Sequence, residues 1–185
     1  MSRENKTQFA LLGILMFQSF SGYEIKKAIN YGIGFFWSED YGSIYPELGK
    51  LEKKGFVKKE YVRQEKKPSK NVYSITDEGK KHFSEWLSRP ADYEKIRHEM
   101  LLKIFFGHYS TSGENIEKLN TEKEFHENLL DKYHEINNHL SEESHPSKNE
   151  KKYWLMTLDY GIKYSSMTIK WCEEMINIFN ESEKQ

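Results

Sequence analysis

The spacing of apolar residues in the first third of the chain predicts three short helices. Residues 7–18 are apolar on every side, which is typical of a helix that packs against several neighbours. Ser21-Gly22-Tyr23-Glu24 has the spacing of a capping box, so a second helix is expected from Gly22 to about residue 30. A third helix over residues 43–54 would carry Pro46 in its first turn and bury one face, formed by Ile44, Leu48 and Leu51.

A hairpin and a fourth helix are predicted next. Residues 56–65 and 71–75 are rich in β-branched and aromatic side chains, and the basic run Lys66-Lys67-Pro68-Ser69-Lys70 separates them. Thr76 and two acidic residues after it predict the start of a helix that ends before Pro90, with an inward face formed by Phe83, Trp86 and Leu87. This order of elements is that of a winged helix-turn-helix domain, which we expect over residues 1–90.

After residue 90 the pattern is helical only, with helices expected over about 93–106, 112–140 and 147–180. Apolar residues of the last helix recur every three or four positions, which is the heptad signature of helix packing. A second stripe widens this apolar surface with Trp154, Tyr164, Trp171, Met175 and Ile178. Because the preceding helix can cover only one face, the other face is predicted to pair with a second copy of the chain. The residues expected at this dimer interface are Trp154, Leu155, Leu158, Ile162, Ile169, Cys172, Ile176 and Phe179.

The predicted fold is therefore α+β and mainly α, with an all-α dimerisation domain over residues 91–185 behind the winged helix. Charge divides the chain in the same way. The whole chain has a net charge of only −1, which does not by itself favour a polyanionic partner. Residues 1–90 carry 16 Lys and Arg against 11 Asp and Glu, a net charge of +5, whereas residues 91–185 carry 12 against 18, a net charge of −6. The two halves are expected to have different roles.

Several classes of function are disfavoured. Cys172 is the only cysteine, which excludes an internal disulfide and indicates a reducing, cytoplasmic location; we interpret it as a packed thiol rather than a nucleophile. The three His-Glu pairs lack the second histidine of a zinc-protease motif, so no metal, cofactor or catalytic residue is predicted. The apolar stretch 9–17 imitates a secretory signal but is far too short to span a bilayer, so we prefer a buried helix and expect no membrane partner.

Four motifs together carry a resemblance to a known family. Ala10–Leu15, Ser21–Ile25, Gly42–Pro46 and Val72–Gly79 resemble the successive motifs of the PadR transcriptional regulators, and the resemblance covers about residues 9–87. It implies a dimeric repressor that binds a roughly palindromic operator in double-stranded DNA. It also implies release by a small-molecule effector or another signal, with phenolic acids and lipophilic drugs among the family's inducers. The run at 67–70 departs from the Gly-Arg-Pro sequence that family members often carry at the wing tip.

The residues themselves support a nucleic-acid interface. A helix that opens at Ser43 would present a hydroxyl, free N–H groups and the Tyr45 phenol to a phosphate, with Lys50 two turns further along. The basic hairpin tip would add phosphate contacts, although a run of charge can also be only a solvated face. Tyr45 could instead pack against the domain, and Lys26 could be an ordinary surface residue. The candidate DNA-binding residues are Tyr23, Lys26, Ser43, Tyr45, Pro46, Lys50, Lys66, Lys67 and Lys70.

Two rival interpretations remain open. The winged helix could serve only as a protein-interaction module, which salt-sensitive binding to duplex DNA would distinguish from a regulator. The C-terminal helices could form a ligand-binding or enzymatic domain, in which Trp154 and Trp171 line a pocket for a planar molecule. A search for a bound metabolite by mass spectrometry would test this second rival.

Overall fold

The computed structural model describes residues 5–63, 68–92, 97–142 and 147–182. The chain divides into two compact units, residues 1–93 and 94–185. The elements of the first unit are α1 (Thr7–Leu15), β1 (Phe20–Ser21), α2 (Gly22–Gly32), α3 (Tyr41–Lys53), β2 (Val57–Val62), β3 (Lys70–Ile75) and α4 (Asp77–Leu87). Its strands form an antiparallel sheet in the order β1, β3, β2. The winged helix-turn-helix prediction is confirmed.

The core of the first unit surrounds α1. Leu11 and Leu12 of this helix are fully buried, as expected from a segment that is apolar on every side. Around it, α2 contributes two buried isoleucines, and α3 buries the predicted face of Ile44, Leu48 and Leu51. Apolar burial on this scale is the main favourable term in folding, at roughly 25 cal/mol per Å².

Helix α4 covers the other side of α1 through aromatic contacts. The ring of Trp86 stacks on that of Phe9 with a centroid distance of 4.4 Å, and Phe83 also packs against the core. The prediction that Leu87 faces inward is wrong, because this side chain is 61% exposed. Leu87 is the last residue of α4, and successive helical residues point about 100° apart, so the rotation that places Trp86 on Phe9 turns Leu87 outward.

Helix α3 begins two residues earlier than expected. Its N-cap residue is Asp40, which has an extended backbone and whose Oδ1 accepts the N–H of Ser43 at 2.7 Å. Aspartate is as good an N-cap residue as serine, so the helix begins directly after Asp40 and not at Ser43. Pro46 consequently lies at the sixth helical position rather than in the first turn, and it has no N–H to donate to the carbonyl of Gly42.

The second unit consists of α5 (Glu99–Phe105), a short 3-10 turn (Gly107–Tyr109), α6 (Ser112–Glu142) and α7 (Lys148–Ser182). The two long helices are antiparallel: Leu119 shares a buried cluster with Cys172, and His126 bonds to Ser165 at 3.0 Å between Nδ1 and Oγ. None of the helices in the described ranges is long and apolar enough to span a bilayer.

The pairing of α6 with α7 buries part of the predicted dimer interface within the single chain. Leu158 and Cys172 are 2% and 0% exposed within the single chain, so they have no surface to offer a second copy. Ile176 and Phe179 are half-buried against the same inner cluster. The heptad stripe therefore packs mostly within the single chain, against residues of α5 and α6.

Gly79 provides a stability prediction for the first unit. A Cβ at this position would lie 2.1 Å from the carbonyl oxygen of Phe56 and 2.9 Å from Ile75, because α4 begins directly against the end of the hairpin. Gly79→Ala should therefore destabilise the protein by about 1–3 kcal/mol or more, as overpacked sites do. Chemical denaturation followed by circular dichroism measures the change.

Gly49 of α3 is the matched control. A Cβ there meets nothing within 4 Å, so Gly49→Ala should stabilise the helix by about 0.5–1 kcal/mol. Equal unfolding free energies for the two alanine variants would contradict the close approach at Gly79.

Candidate nucleic-acid interface

The side chain of Tyr45 lies across the start of α2. A Cβ on Gly22 would be 2.5 Å from the Tyr45 ring, so only glycine permits this close approach. Tyr45 is half exposed, and its ring stacks on that of Tyr41, one turn earlier, at a centroid distance of 6.1 Å. Tyr23, which follows Gly22, is also exposed. We call Tyr23, Tyr41 and Tyr45 the tyrosine face.

The polar start of α3 differs from the expected phosphate site. The backbone N–H and the hydroxyl of Ser43 both donate to Asp40 Oδ1, at 2.7 and 3.0 Å. These bonds lower the pKa of the Asp40 carboxyl, with the backbone N–H as the largest cause. Ser43 is therefore already hydrogen-bonded within the chain. The acceptor of both bonds is the Asp40 carboxylate, whereas the sequence suggested a DNA phosphate as the acceptor.

Lys26 is held by the segment between α2 and α3. Its ammonium donates to the backbone carbonyl of Glu39, and the Trp37 indole N–H donates to the Glu39 carboxylate at 2.9 Å. Glu39 is itself buried. Lys26 thus fixes the connection that leads into α3, a role that sequence reasoning did not suggest.

Lys50 is paired with a carboxylate from the core side of its own helix. Its ammonium lies 2.8 Å from Glu47 Oε2, and the Glu47 side chain is only 4% exposed. Asn5 donates to the same oxygen at 2.8 Å. Because an unpaired buried charge is costly, Lys50 stabilises α3 whatever else it contacts. Its own side chain remains 60% exposed.

Lys70 is paired in the same manner at the base of the wing. Its ammonium lies 2.5 Å from Glu24 Oε1, while Glu24 Oε2 accepts the backbone N–H and the hydroxyl of Ser21. The predicted capping box is present. These bonds, the one from Lys70 first, lower the pKa of Glu24 from 4.5 to about 2.

Three candidate DNA-binding residues remain: Pro46, Lys66 and Lys67. Pro46 is exposed on α3, beside Tyr45 in sequence. Lys66 and Lys67 lie outside the described residues. Sequence reasoning missed Asp40 and Tyr41, although two signals were there: an acidic residue three positions before Ser43, and tyrosines four positions apart, which share a helix face.

The second unit exposes a long apolar stripe on α7. Five of its residues follow one another every three or four positions and Ile178 lies further along the helix, with exposures between 39% and 71%: Tyr153, Met156, Tyr160, Tyr164, Met167 and Ile178. Trp154, from the predicted interface, is 38% exposed, whereas Leu155, Ile162 and Ile169 are half-buried. On α5, Leu101, Leu102 and Phe105 are exposed as well.

The buried polar residues between α6 and α7 do not form a catalytic site. His126 bonds to Ser165, and its Nε2 lies 3.5 Å from Glu122 Oε1. This arrangement superficially resembles a catalytic triad of nucleophile, base and acid. Ser165 is fully buried, so its hydroxyl cannot reach a substrate. Among the described residues, no group of three or more His, Cys, Asp or Glu is arranged to hold a metal ion.

Two family profiles match the chain. The profile of the transcriptional regulator PadR-like family matches residues 11–85, and that of the virulence activator alpha C-terminal region matches residues 96–180.

Two curated relatives match part of the chain. The negative transcriptional regulator PadR of Bacillus subtilis is 37% identical over 100 residues, which cover 54% of this chain and 55% of that protein. A probable transcriptional regulator of Mycobacterium tuberculosis is 35% identical over 81 residues, which cover 44% of this chain and 43% of the relative. The chain thus matches about half the length of these relatives.

Solved structures extend the similarity along the chain. Bacillus subtilis PadR in complex with operator DNA has a TM-score of 0.82 at 26% identity and covers 95% of this chain and 99% of its own. The same protein in complex with p-coumaric acid has a TM-score of 0.76 at 24% identity, and the match covers 95% of this chain and 99% of that one. The protein smu.1604c of Streptococcus mutans gives 0.79 at 30% identity, with coverage of 92% and 98%. Residues 11–85 of the chain therefore belong to the PadR-like family of transcriptional regulators.

Proposed function

We propose that this protein is a homodimeric, DNA-binding transcriptional repressor that recognises a roughly two-fold symmetric operator. The observation that carries the proposal is the tyrosine face. Its exposed tyrosines belong to α3 and to the start of α2 of a winged helix. Phenols donate hydrogen bonds to phosphate oxygens, and such contacts fix the position of a protein on the duplex. The operator complex of Bacillus subtilis PadR supports the same partner for this chain.

In this proposal α3 enters the major groove, as the second helix of a helix-turn-helix does. Tyr23 and Tyr45 hold the phosphate backbone at the groove edge, with Tyr41 beside them. Lys66 and Lys67 of the wing supply sequence-independent attraction. Lys50 reaches the DNA only with the part of its ammonium that Glu47 leaves open. A cytoplasmic location follows from a DNA partner.

The proposed dimer forms through the exposed apolar stripe of α7 rather than through the buried heptad stripe. Side chains such as Tyr160 and Met167 would leave a large apolar patch in water, and exposed patches of several hundred Å² usually mark interfaces. The exposed residues of α5 lie in the same unit and extend the apolar surface. A two-fold protein then matches a two-fold operator.

We also propose that a small aromatic acid acts as effector, a class suggested by the p-coumaric acid complex of Bacillus subtilis PadR. Adding p-coumaric acid to the preformed protein–DNA complex should release the DNA in a mobility assay, with the saturated analogue of the acid as a comparison. Unchanged binding at millimolar acid would remove this effector class and leave DNA binding intact.

The first test of DNA binding uses a duplex from the promoter of the protein's own gene and a shuffled duplex of equal length. Affinity for the promoter should fall steeply between 50 and 200 mM salt, by about 10³-fold or more for six phosphate contacts. Tyr45→Phe keeps the ring over Gly22 and removes only the hydroxyl. It should weaken promoter binding about ten-fold or more, the usual loss for a hydrogen bond to a charged group.

Tyr109→Phe removes the hydroxyl of a more exposed tyrosine in the second unit and should leave affinity unchanged. Fluorescence anisotropy measures all three proteins. Binding that is insensitive to salt, or absent, would favour the protein-interaction module over the regulator.

The dimer is tested on the exposed stripe of α7. Tyr160→Glu with Met167→Glu should produce a folded monomer, because each apolar side chain buried in an interface contributes roughly 1.5–3 kcal/mol. Sedimentation velocity at tens of micromolar gives the oligomeric state, and circular dichroism checks the fold. Ser166→Glu with Asn177→Glu adds the same charge at exposed polar positions of the helix and should remain dimeric. A monomeric wild type, or a double stripe variant that stays dimeric, would contradict this interface.

A further inference from the structure

We propose that Glu24 and Lys70 form a latch that positions the wing for DNA, and that Lys70 is a positioning residue rather than a phosphate ligand. This inference rests on the proposed DNA-binding function. It departs from the sequence-based expectation, in which Lys70 was one of three equivalent wing lysines.

The Glu24 carboxylate is bonded on both oxygens. Oε1 accepts the Lys70 ammonium at 2.5 Å, and Oε2 accepts the Ser21 backbone N–H at 2.8 Å and the Ser21 hydroxyl at 2.7 Å. One side chain therefore receives three donors from two separate elements. An isolated surface ion pair is worth little, but a pair within a network of fixed geometry holds its partners more firmly.

The latch lies where the wing joins the rest of the unit. Lys70 is the first residue of β3 and pairs with Val62 at the end of β2, so it marks the base of the hairpin tip. Ser21 belongs to β1, which is only two residues long and pairs with Val72 of β3. So short a strand contributes few ladder bonds, and Glu24 adds a further link between α2 and the hairpin.

Electrostatics argue against a direct phosphate contact by Lys70. Because the pKa of Glu24 is lowered to about 2, its carboxylate is charged at neutral pH. A phosphate close enough to bind Lys70 would also approach this carboxylate and be repelled by it. Phosphate contact would require Lys70 to leave a partner that stays ionised.

The two roles for Lys70 predict opposite effects of Glu24→Gln. Glutamine can still accept the Ser21 N–H of the capping box, but it removes the charge that holds Lys70. If Lys70 were a phosphate ligand, this change would free it and tighten DNA binding. If the latch positions the wing, the change should weaken binding as much as Lys70→Ala does.

The experiment measures promoter affinity and its salt dependence for Lys70→Ala, Glu24→Gln and the double variant. Each single change should weaken binding about two- to five-fold, the range of a modest ion-pair network. The double variant should be no weaker than either, and the slope of log affinity against log salt should stay constant. Lys70→Arg, which preserves the pair, should restore affinity. Lys80→Ala, which breaks the exposed pair with Asp77 in the same unit, is the control and should have no effect.

Tighter binding by Glu24→Gln, or a slope reduced by about one in Lys70→Ala, would overturn the latch in favour of a phosphate contact. A readout without DNA keeps the two proposals separate. In the free protein, carboxyl NMR should show the pKa of Glu24 rising from about 2 towards 4.5 in Lys70→Ala. An unchanged Glu24 titration would refute the latch, whereas failure of the wild type to bind any DNA would refute only the proposed function.

Discussion

The burial of α1 on all sides is the constraint around which the first unit is organised. A nine-residue helix with Leu11 and Leu12 fully enclosed cannot exist alone in water, so α2, α3 and α4 must pack around it at once. The Phe9–Trp86 stack fixes α4, and the inner face of α3 fixes the angle at which its outer face is presented. The core therefore positions the tyrosine face, whose Tyr45 ring packs against Gly22 of α2.

Each described lysine that the sequence suggested for DNA contact has a partner within the protein. Lys26 binds the Glu39 carbonyl, Lys50 binds Glu47, and Lys70 binds Glu24. Such partners restrict the motion of long side chains and hold the loops and helix ends that surround α3. The phenol groups of the tyrosine face remain exposed for contact with another molecule.

The sequence predicted the order of elements well, because it depends on local signals. The capping box at Ser21, the cap at Thr76 and the buried face of α3 all follow from residues within one or two turns. Long-range pairings were not predictable: no local pattern indicates that Lys70 meets Glu24, 46 residues away. Trp171 and Met175 of the second predicted stripe pack against the inner cluster, whereas the exposed Tyr160 and Met167 belonged to neither predicted stripe. Periodicity alone does not reveal which face of α7 is covered by α6. That choice depends on the His126–Ser165 bond and on the close packing of Tyr133 over Gly161.

The internal pairing of the lysines has a consequence for how a regulator searches a genome. A surface of unpaired lysines attracts any stretch of DNA, and a chromosome offers about 10⁶–10⁹ competing sites. Carboxylates fixed beside these lysines weaken that indiscriminate attraction, because counterion release scales with the phosphates neutralised. Contacts of α3 with base edges in the major groove, which carry the sequence information, lose little by comparison. Under the proposed function, pairing lowers the time spent on random DNA more than the time spent on the operator, and it raises occupancy of the correct site at a given number of molecules per cell.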